Sequence, residues 1–219
     1  NVNDWCHMNT HKNLIRVDIF SDIICPWCYI GWKRIDAAAK MHKHVTLDIA
    51  WRAFLLNPTM PETGMDRQAY VQAKFGQAGA AFYDRISNVG QQVGINFNFS
   101  AITRTPDSKP AHVLIKAAGK NGHDIKIKMM ADYFEHGIDI STPEYQNMII
   151  TDYHISSDLI DLARTKVQAD LEEASMMDIH GVPYIIIDQR WSVSGAHPPH
   201  AFLPLFDAAL NAKLDTFDT

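Results

Sequence analysis

Apolar and polar residues alternate at several places along the chain and recur at helical spacing elsewhere. Ile15–Phe20 (IRVDIF) alternates and is rich in β-branched residues, which predicts a strand. Ser21 to Cys25 reads as a short turn. From Pro26 onward Tyr29, Ile30, Ile35, Ala38 and Ala39 fall at helical spacing, and Pro26 suits a first helical turn, where its missing N–H costs nothing. Val45–Phe54 (VTLDIAWRAF) alternates again. Strand, helix and strand predict a βαβ unit with parallel strands and a right-handed crossover.

Leu55–Thr63 is turn-rich, and Asp66 is the predicted N-cap of one helical pattern running to about Val93. Ile95–Phe99 (INFNF) is short and alternating, and Thr103–Pro110 reads as a loop. Helical patterns follow at about 111–120, 124–136, 143–150 and 156–175. Strand chemistry returns in Tyr184–Asp188 (YIIID) and Trp191–Ser194 (WSVS), which predict a hairpin about Gln189 and Arg190; Pro198–Ala212 closes with a helix. The order is βαβ, a helical block, then ββα. The halves at 15–60 and 180–212 are expected to share one sheet, so 61–179 is expected to be an insertion whose ends meet at that sheet. Residues 1–14 are polar and aperiodic and are expected to form a disordered tail.

Composition narrows the function. Hydrophobic residues make up 47% and charged residues 21% of 219, which excludes a disordered or collagen-like chain. With 20 Lys and Arg against 25 Asp and Glu there is no basic excess, and no nucleic-acid partner is expected. No run approaches ~18 consecutive apolar residues, so no membrane span is expected. The first residues lack the charged start, apolar run and cleavage site of a secretory signal, which makes the cytoplasm the expected compartment. Three cysteines exclude a disulfide scaffold. Cys6, in the tail, reads as an exposed free thiol, with an intermolecular disulfide as the alternative.

The other two form Cys25-Pro26-Trp27-Cys28, at the end of a strand and the start of a helix. Residues three apart lie on one helix face, so the two sulfurs can reach disulfide distance across a single turn. The first cysteine meets the unpaired N–H groups and positive dipole end of the helix, which favour its thiolate. That assigns Cys25 as nucleophile and Cys28, one turn deeper, as resolving thiol. A zinc site needs further ligands; there is no second cysteine pair, the eleven histidines are scattered, and no metal is expected. An inert or structural pair is the other alternative. C-x-x-C beside a βαβ pattern favours the redox dithiol. Far along the chain, Gly181-Val182-Pro183-Tyr184 precedes a strand. The Val182–Pro183 bond can be cis or trans; if cis, it could turn the Val182 N–H and C=O outward as a docking edge beside Cys25.

With these elements in this order, the chain resembles the thioredoxin fold. The long helical insertion makes it similar to the DsbA-like branch, and more closely to the FrnE-type subgroup, which is related to 2-hydroxychromene-2-carboxylate isomerases and kappa-class glutathione transferases. The matching segments are VDIFSDIICPWCYIGWKRI, WRAFLLNP, ITRTPDSKPAH and GVPYIIIDQRWSVSGAHPPHAF, within about residues 15–212. The resemblance implies an α/β thioredoxin fold with a large all-helical insertion between the βαβ and ββα halves. It implies that Pro183 is cis and faces Cys25. It implies dithiol–disulfide exchange on protein or small-molecule thiol or disulfide substrates, with the Cys25–Cys28 disulfide as the only redox group and no bound cofactor. Pro26, Trp27, Val182, Pro183 and Asn57 are the expected substrate contacts, and Asp18 is the candidate buried proton acceptor for Cys28, its alternative being a solvent-facing strand residue.

In the isomerase and transferase branches the position matching Cys25 is typically Ser, which activates glutathione. Both cysteines are present here, which favours the redox reading. The alternative is a glutathione-dependent isomerase or transferase acting on a small aromatic or polyketide-like substrate, with glutathione near Asn57. The further cysteine pair that some FrnE-like proteins carry near the carboxyl terminus is missing. Reductase, isomerase and oxidase directions stay open, as do monomer and homodimer. Among the supporting residues, Asp22 is read as turn or cap chemistry, because a carboxylate beside a thiolate would raise the thiol pKa. Trp27 offers an apolar surface. His112 and His197 are read as structural or surface residues that could line the cleft. Arg104 and Lys109 are read as solvated loop charges, and Met129-Met130 and Met176-Met177 as core filler.

Overall fold

The computed structural model describes residues 13–215, so Cys6 and all but the last two residues of the expected tail lie outside the described residues. Those last two belong to the sheet: the Thr46 N–H donates to Asn13 O, and Leu14 opens β1. The first half is β1 (Leu14–Ser21), α1 (Pro26–Met41) and β2 (Thr46–Ala53). The middle holds β3 (Met65–Asp66), α2 (Arg67–Phe75), α3 (Gly79–Gln91), β4 (Arg104–Thr105), α4 (Lys109–Ala117), α5 (Gly122–Phe134), α6 (Pro143–Asp152) and α7 (Ser157–Met176). The chain ends with β5 (Tyr184–Ile187), β6 (Trp191–Ser194) and α8 (Leu203–Asp215).

β1 runs parallel to β2, from Leu14 opposite Thr46 to Ser21 opposite Ala53. On its other side it pairs antiparallel with β5, and β5 with β6, so the strand order is β2-β1-β5-β6. The two halves share one sheet, and the architecture is a thioredoxin fold interrupted by a helical block. The hairpin turns at Asp188 and Gln189, one residue earlier than expected. Both have positive φ, 50° and 57°, the pair of left-handed residues that matches the twist of a tight hairpin.

β1 is covered on both faces. Ile15, Val17 and Ile19 join a core that continues through Ile30 and Ile35 of α1 into Met129 and Phe134 of α5 and Ile149 of α6. The helical block therefore packs as part of the same core. On the opposite face Phe20 packs with Ala174 and Ile179. Here Arg52 clasps α7 to the sheet. Its Nε is 2.5 Å from Asp170 Oδ1 and its Nη1 3.3 Å from Asp18 Oδ1, while Nη2 bonds Glu173. Asp170 also accepts from the Ala53 N–H and Lys116 Nζ.

Two local expectations are corrected. The helix expected over 66–93 starts as expected, with Asp66 Oδ1 accepting the Ala69 N–H, but a short 3₁₀ turn at Gly76–Ala78 divides it. Gly76, at φ 54°, ends α2 in a left-handed conformation that suits glycine, and Phe75 stacks on Phe82 across the break. Ile95–Phe99 alternates without forming a strand. Its alternation instead places Phe97 and Phe99 in a stack packed edge-on against Phe134, and its Asn98 N–H donates to Phe134 O. Within the expected loop 103–110, Arg104–Thr105 pairs with Met65–Asp66. No described helix is long and apolar enough to cross a membrane.

Candidate active site

The site begins where β1 ends. Past Ser21 the chain is free of strand alternation, and Asp22 folds back. Its Oδ1 accepts the Ile24 N–H, its Oδ2 the Leu56 N–H at 2.7 Å, and its carbonyl the Cys25 N–H. This turn delivers Cys25 as the N-cap of α1 in an extended conformation, with no side-chain cap bond and Pro26 directly after it. The thiol of Cys25 is therefore not spent on the helix. It donates to Val182 O at 3.6 Å, 157 residues away in sequence. The Val182–Pro183 peptide is cis, and Pro183 is buried against α1, where a Cβ on Gly31 would lie 2.9 Å from Pro183 Cγ.

Both thiols are free. Cys25 retains 4% exposure and Cys28 none, which makes Cys25 the thiol within reach of a substrate. Burial, then the hydrogen bond and charge of Cys25, push the Cys28 thiol well above its ordinary value, against the pull of Lys126. Trp27 and Pro26 are half-buried beside them, with the Arg85 guanidinium 6.0 Å above the Trp27 ring.

Beneath the thiols lies a cluster of buried charges. Asp22 is completely enclosed. Burial alone would raise its carboxyl, but the groups that face it, His112 first, then the Leu56 N–H and Ser108, hold it below the ordinary carboxylate range. His112 Nε2 stands 3.6 Å from Asp22 Oδ1, just past hydrogen-bond length, and burial keeps this imidazole neutral. Lys126 on α5 is 0% exposed. Its Nζ has no hydrogen-bond partner in the protein and lies 5.3 Å from the centre of the Trp51 ring. Burial brings its pKa down to about 8, opposed by the charges of Cys28, Asp22 and Cys25.

The expected residues divide. Cys25, Cys28, Val182 and Pro183 come together, with Pro26 and Trp27 on the same turn. Asp18 does not join them as expected. Strand alternation puts it on the face of Phe20, opposite Val17 and Ile19, where Arg16 grips it through Nε and Nη2 and Arg52 adds a third contact. The enclosed carboxylate near the thiols is Asp22. Asn57 follows Leu56 and lines a pocket of about 360 Å³ with Tyr70 and Lys74; its Nδ2 has no protein partner. His112 is structural and buried at the site, whereas His197 is exposed and bonds Ser194 O. Arg104 bonds Thr63 O, and Lys109 is exposed. Met129 and Met130 fill the core as expected, but Met176 is 81% exposed and Met177 is also exposed, because both lie at the end of α7, beyond the face that packs on Phe20. Lys126 escaped the sequence reading altogether. The signal was there: it falls in the stripe Gly122, Lys126, Met129 and Met130 that turns inward. Among the described residues, no three His, Cys, Asp or Glu side chains gather as metal ligands would.

The comparisons with known proteins agree with this architecture. A probable DsbA oxidoreductase from Streptomyces coelicolor is similar in structure, with 22% identity, 90% of each chain covered and a TM-score of 0.78. The cytosolic disulfide reductase DsbM from Pseudomonas aeruginosa, solved with GSH, has 14% identity, covers 93% of this chain and 100% of its own, and has a TM-score of 0.57. A 2-hydroxychromene-2-carboxylate isomerase has 13% identity, covers 93% of this chain and 98% of its own, and has a TM-score of 0.60. At these identities the likeness is one of fold. A search among curated proteins finds no match. The DsbA-like thioredoxin domain model matches residues 16–206, most of the chain, and with the shared fold it shows that the chain belongs to the DsbA-like thioredoxin domain family.

Proposed function

We propose that this member of the family is a cytoplasmic thiol–disulfide oxidoreductase of FrnE type working through Cys25 and Cys28. The observation that carries this reading is the asymmetry of the two thiols. One stands at the N-cap position of a helix without bonding to it and touches Val182 O; the other is enclosed one turn below it. In the reducing direction, the Cys25 thiolate attacks a substrate disulfide R–S–S–R′. A Cys25–S–S–R bond forms, and R′S⁻ leaves and takes a proton from solvent. Cys28 then gives up its proton and attacks Cys25 Sγ. The Cys25–Cys28 disulfide forms, RS⁻ leaves, and two electrons have passed to the substrate. The Val182 backbone, with Pro183 behind it, is the docking edge; Pro26 and Trp27 border it.

The test is Cys28→Ser in a Cys6→Ser background. Mixed with a disulfide substrate, it should accumulate a mixed disulfide on Cys25 that the parent protein does not retain. Undiminished turnover by Cys28→Ser would overturn the two-thiol mechanism. Equilibration in glutathione buffers then sets the direction: a potential near about −270 mV supports a reductase, and one near about −120 mV an oxidase.

A second reading has one observation in its favour. Asn57 sits on a pocket next to the Leu56–Asp22 contact with an amide nitrogen that lacks a partner, a place where a small thiol such as glutathione could be held for an isomerase or transferase acting on an aromatic or polyketide-like substrate. Calorimetry with reduced glutathione tests it; absence of saturable binding removes it.

A further inference from the structure

Building on the two-thiol reading, we propose that Lys126, supplied by the helical block, accepts the thiol proton of Cys28 when Cys28 resolves the mixed disulfide. The geometry comes first. A lysine fully enclosed with no hydrogen-bond partner forgoes three donor bonds, a heavy loss unless charges nearby compensate. The charged groups and the ring that act on it come from several elements. They are Cys28 and Cys25 from α1 and its cap, Asp22 from the turn after β1, and the Trp51 ring from β2. His112 of α4 also feels the charge of Lys126. The charge of Asp22 balances the ammonium, which makes it possible for a lysine to sit there at all.

The other candidates are tied up or are weaker bases. Asp18 is gripped by Arg16 and Arg52 on the far face of the sheet. Asp22 is held low by its donors and is a poor acceptor. His112, its pKa lowered by burial from the ordinary 6.5, is a weaker base than the Lys126 amine. That leaves Lys126, a buried base with a free valence.

Its midpoint near 8 lies below that of Cys28, which burial pushes well up. Between the two midpoints the pair holds one proton, on sulfur or on nitrogen. With the proton on nitrogen, the neutral amine has become an ammonium and the sulfur a thiolate facing it. That thiolate attacks Cys25 Sγ, the Cys25–Cys28 bond forms and the Cys25–SR bond breaks. RS⁻ departs with the electron pair and is protonated by solvent, and Lys126 returns its proton to solvent before the next turnover. At pH 7 about one molecule in ten carries the neutral amine.

The experiment reads the resolving step alone. Reduced Cys6→Ser protein is mixed with one equivalent of an aromatic disulfide that releases a coloured thiolate (Ellman's reagent). The first equivalent reports attack by Cys25. The second, whose rate does not depend on reagent concentration, reports attack by Cys28. Its rate should rise about tenfold per pH unit and level near pH 8. Lys126→Met should slow it about a hundredfold at pH 7, the low end of what a positioned acid or base supplies, and should abolish the levelling. Lys126→Arg keeps a charge but has no free valence, and should restore neither. A profile without a break near pH 8 in the protein with Lys126 intact overturns the proposal, and needs no variant to fold. So does a Lys126→Met protein with unchanged rate and break, or full rescue by Arg. Failure of the underlying two-thiol reading looks different: no reagent-independent second phase appears at all.

Discussion

α1 meets the segment that carries Val182 and Pro183 at Gly31, and the substitution Gly31→Ala sets two opposing effects against each other. A Cβ there would lie 2.9 Å from Pro183 Cγ and 3.6 Å from both Pro183 Cβ and Ala196 Cβ. Carbon atoms rest about 3.5–4.0 Å apart, so ring and helix must part by about 0.6 Å or more. Neither side yields easily. Pro183 O is held by the Gly195 N–H at 2.8 Å, and Arg34 of α1 bonds Ala196 O. Overpacking of this kind costs about 1–3 kcal/mol. Alanine in place of glycine inside a helix contributes about 1 kcal/mol the other way. The steric effect wins by about 1 kcal/mol, which for a chain of this size lowers Tm by about 2–4 °C. The larger consequence is at the site. Cys28 lies one turn before Gly31, and Val182 O touches Cys25 across the gap that must open, so exchange with a small disulfide should slow more than stability falls. Denaturant unfolding and stopped-flow exchange on the same preparation measure both. A variant that gains about 1 kcal/mol, as propensity alone would give, and exchanges at the parent rate would refute the crowding argument.

Three further outcomes follow from the packing. Arg52→Met leaves the enclosed carboxylates of Asp18 and Asp170 short of a partner and should cost about 3–5 kcal/mol, read as a lower denaturation midpoint at unchanged slope; a loss under about 1 kcal/mol would mean that Lys116 and Arg16 suffice. For Asp18, burial tends to raise the carboxyl, but Arg16 and then Arg52 outweigh it and its folded-state pKa is lowered from the ordinary 3.8. A depressed carboxyl stabilises the fold above its unfolded value and loses that contribution as pH falls through the folded one, so unfolding experiments below about pH 4 should show a steeper loss in the parent than in Asp18→Asn. Asp66→Ala removes the cap on the Ala69 N–H and should cost about 1 kcal/mol, with faster amide exchange in the first turn of α2.

How far the sequence carried each element depends on what its pattern reports. β1, α1 and β2 were legible to within a residue or two, because alternation and a proline at the helix start are local signals and the structure reads them locally. Ile95–Phe99 alternates just as clearly and is not a strand. Alternation says that every second residue is covered, and here the cover is Phe134 and its neighbours. The break at Gly76–Ala78 is the reverse case. Both flanking helices are amphipathic, and only the left-handed Gly76 and the Phe75–Phe82 stack, which bring the helices face to face, show why one helix became two.

The same logic explains the site. C-x-x-C at a helix start is local chemistry and was readable as such. That Val182 O lies against Cys25 joins two segments on either side of the helical block; from the residues it depends on a Val182–Pro183 bond that can be cis or trans, and the resemblance chooses cis. For the buried carboxylate near Cys28, Asp18 is the wrong candidate, on a strand where it is flanked by Val17 and Ile19. Those two apolar neighbours already implied that Asp18 points away from α1, since side chains along a strand alternate faces. Asp22, one residue past the strand, is released from that rule and turns beneath the helix start. Its counterpart was visible too, as the single lysine in the inward stripe of α5. An enclosed charge in an apolar stripe demands an opposite charge, because alone it would neutralise or expel itself. Neither Asp22 nor Lys126 explains its own burial. Asp22 is held by His112, the Leu56 N–H and Ser108, and its charge, with those of Cys28 and Cys25, keeps the Lys126 pKa above where burial alone would leave it.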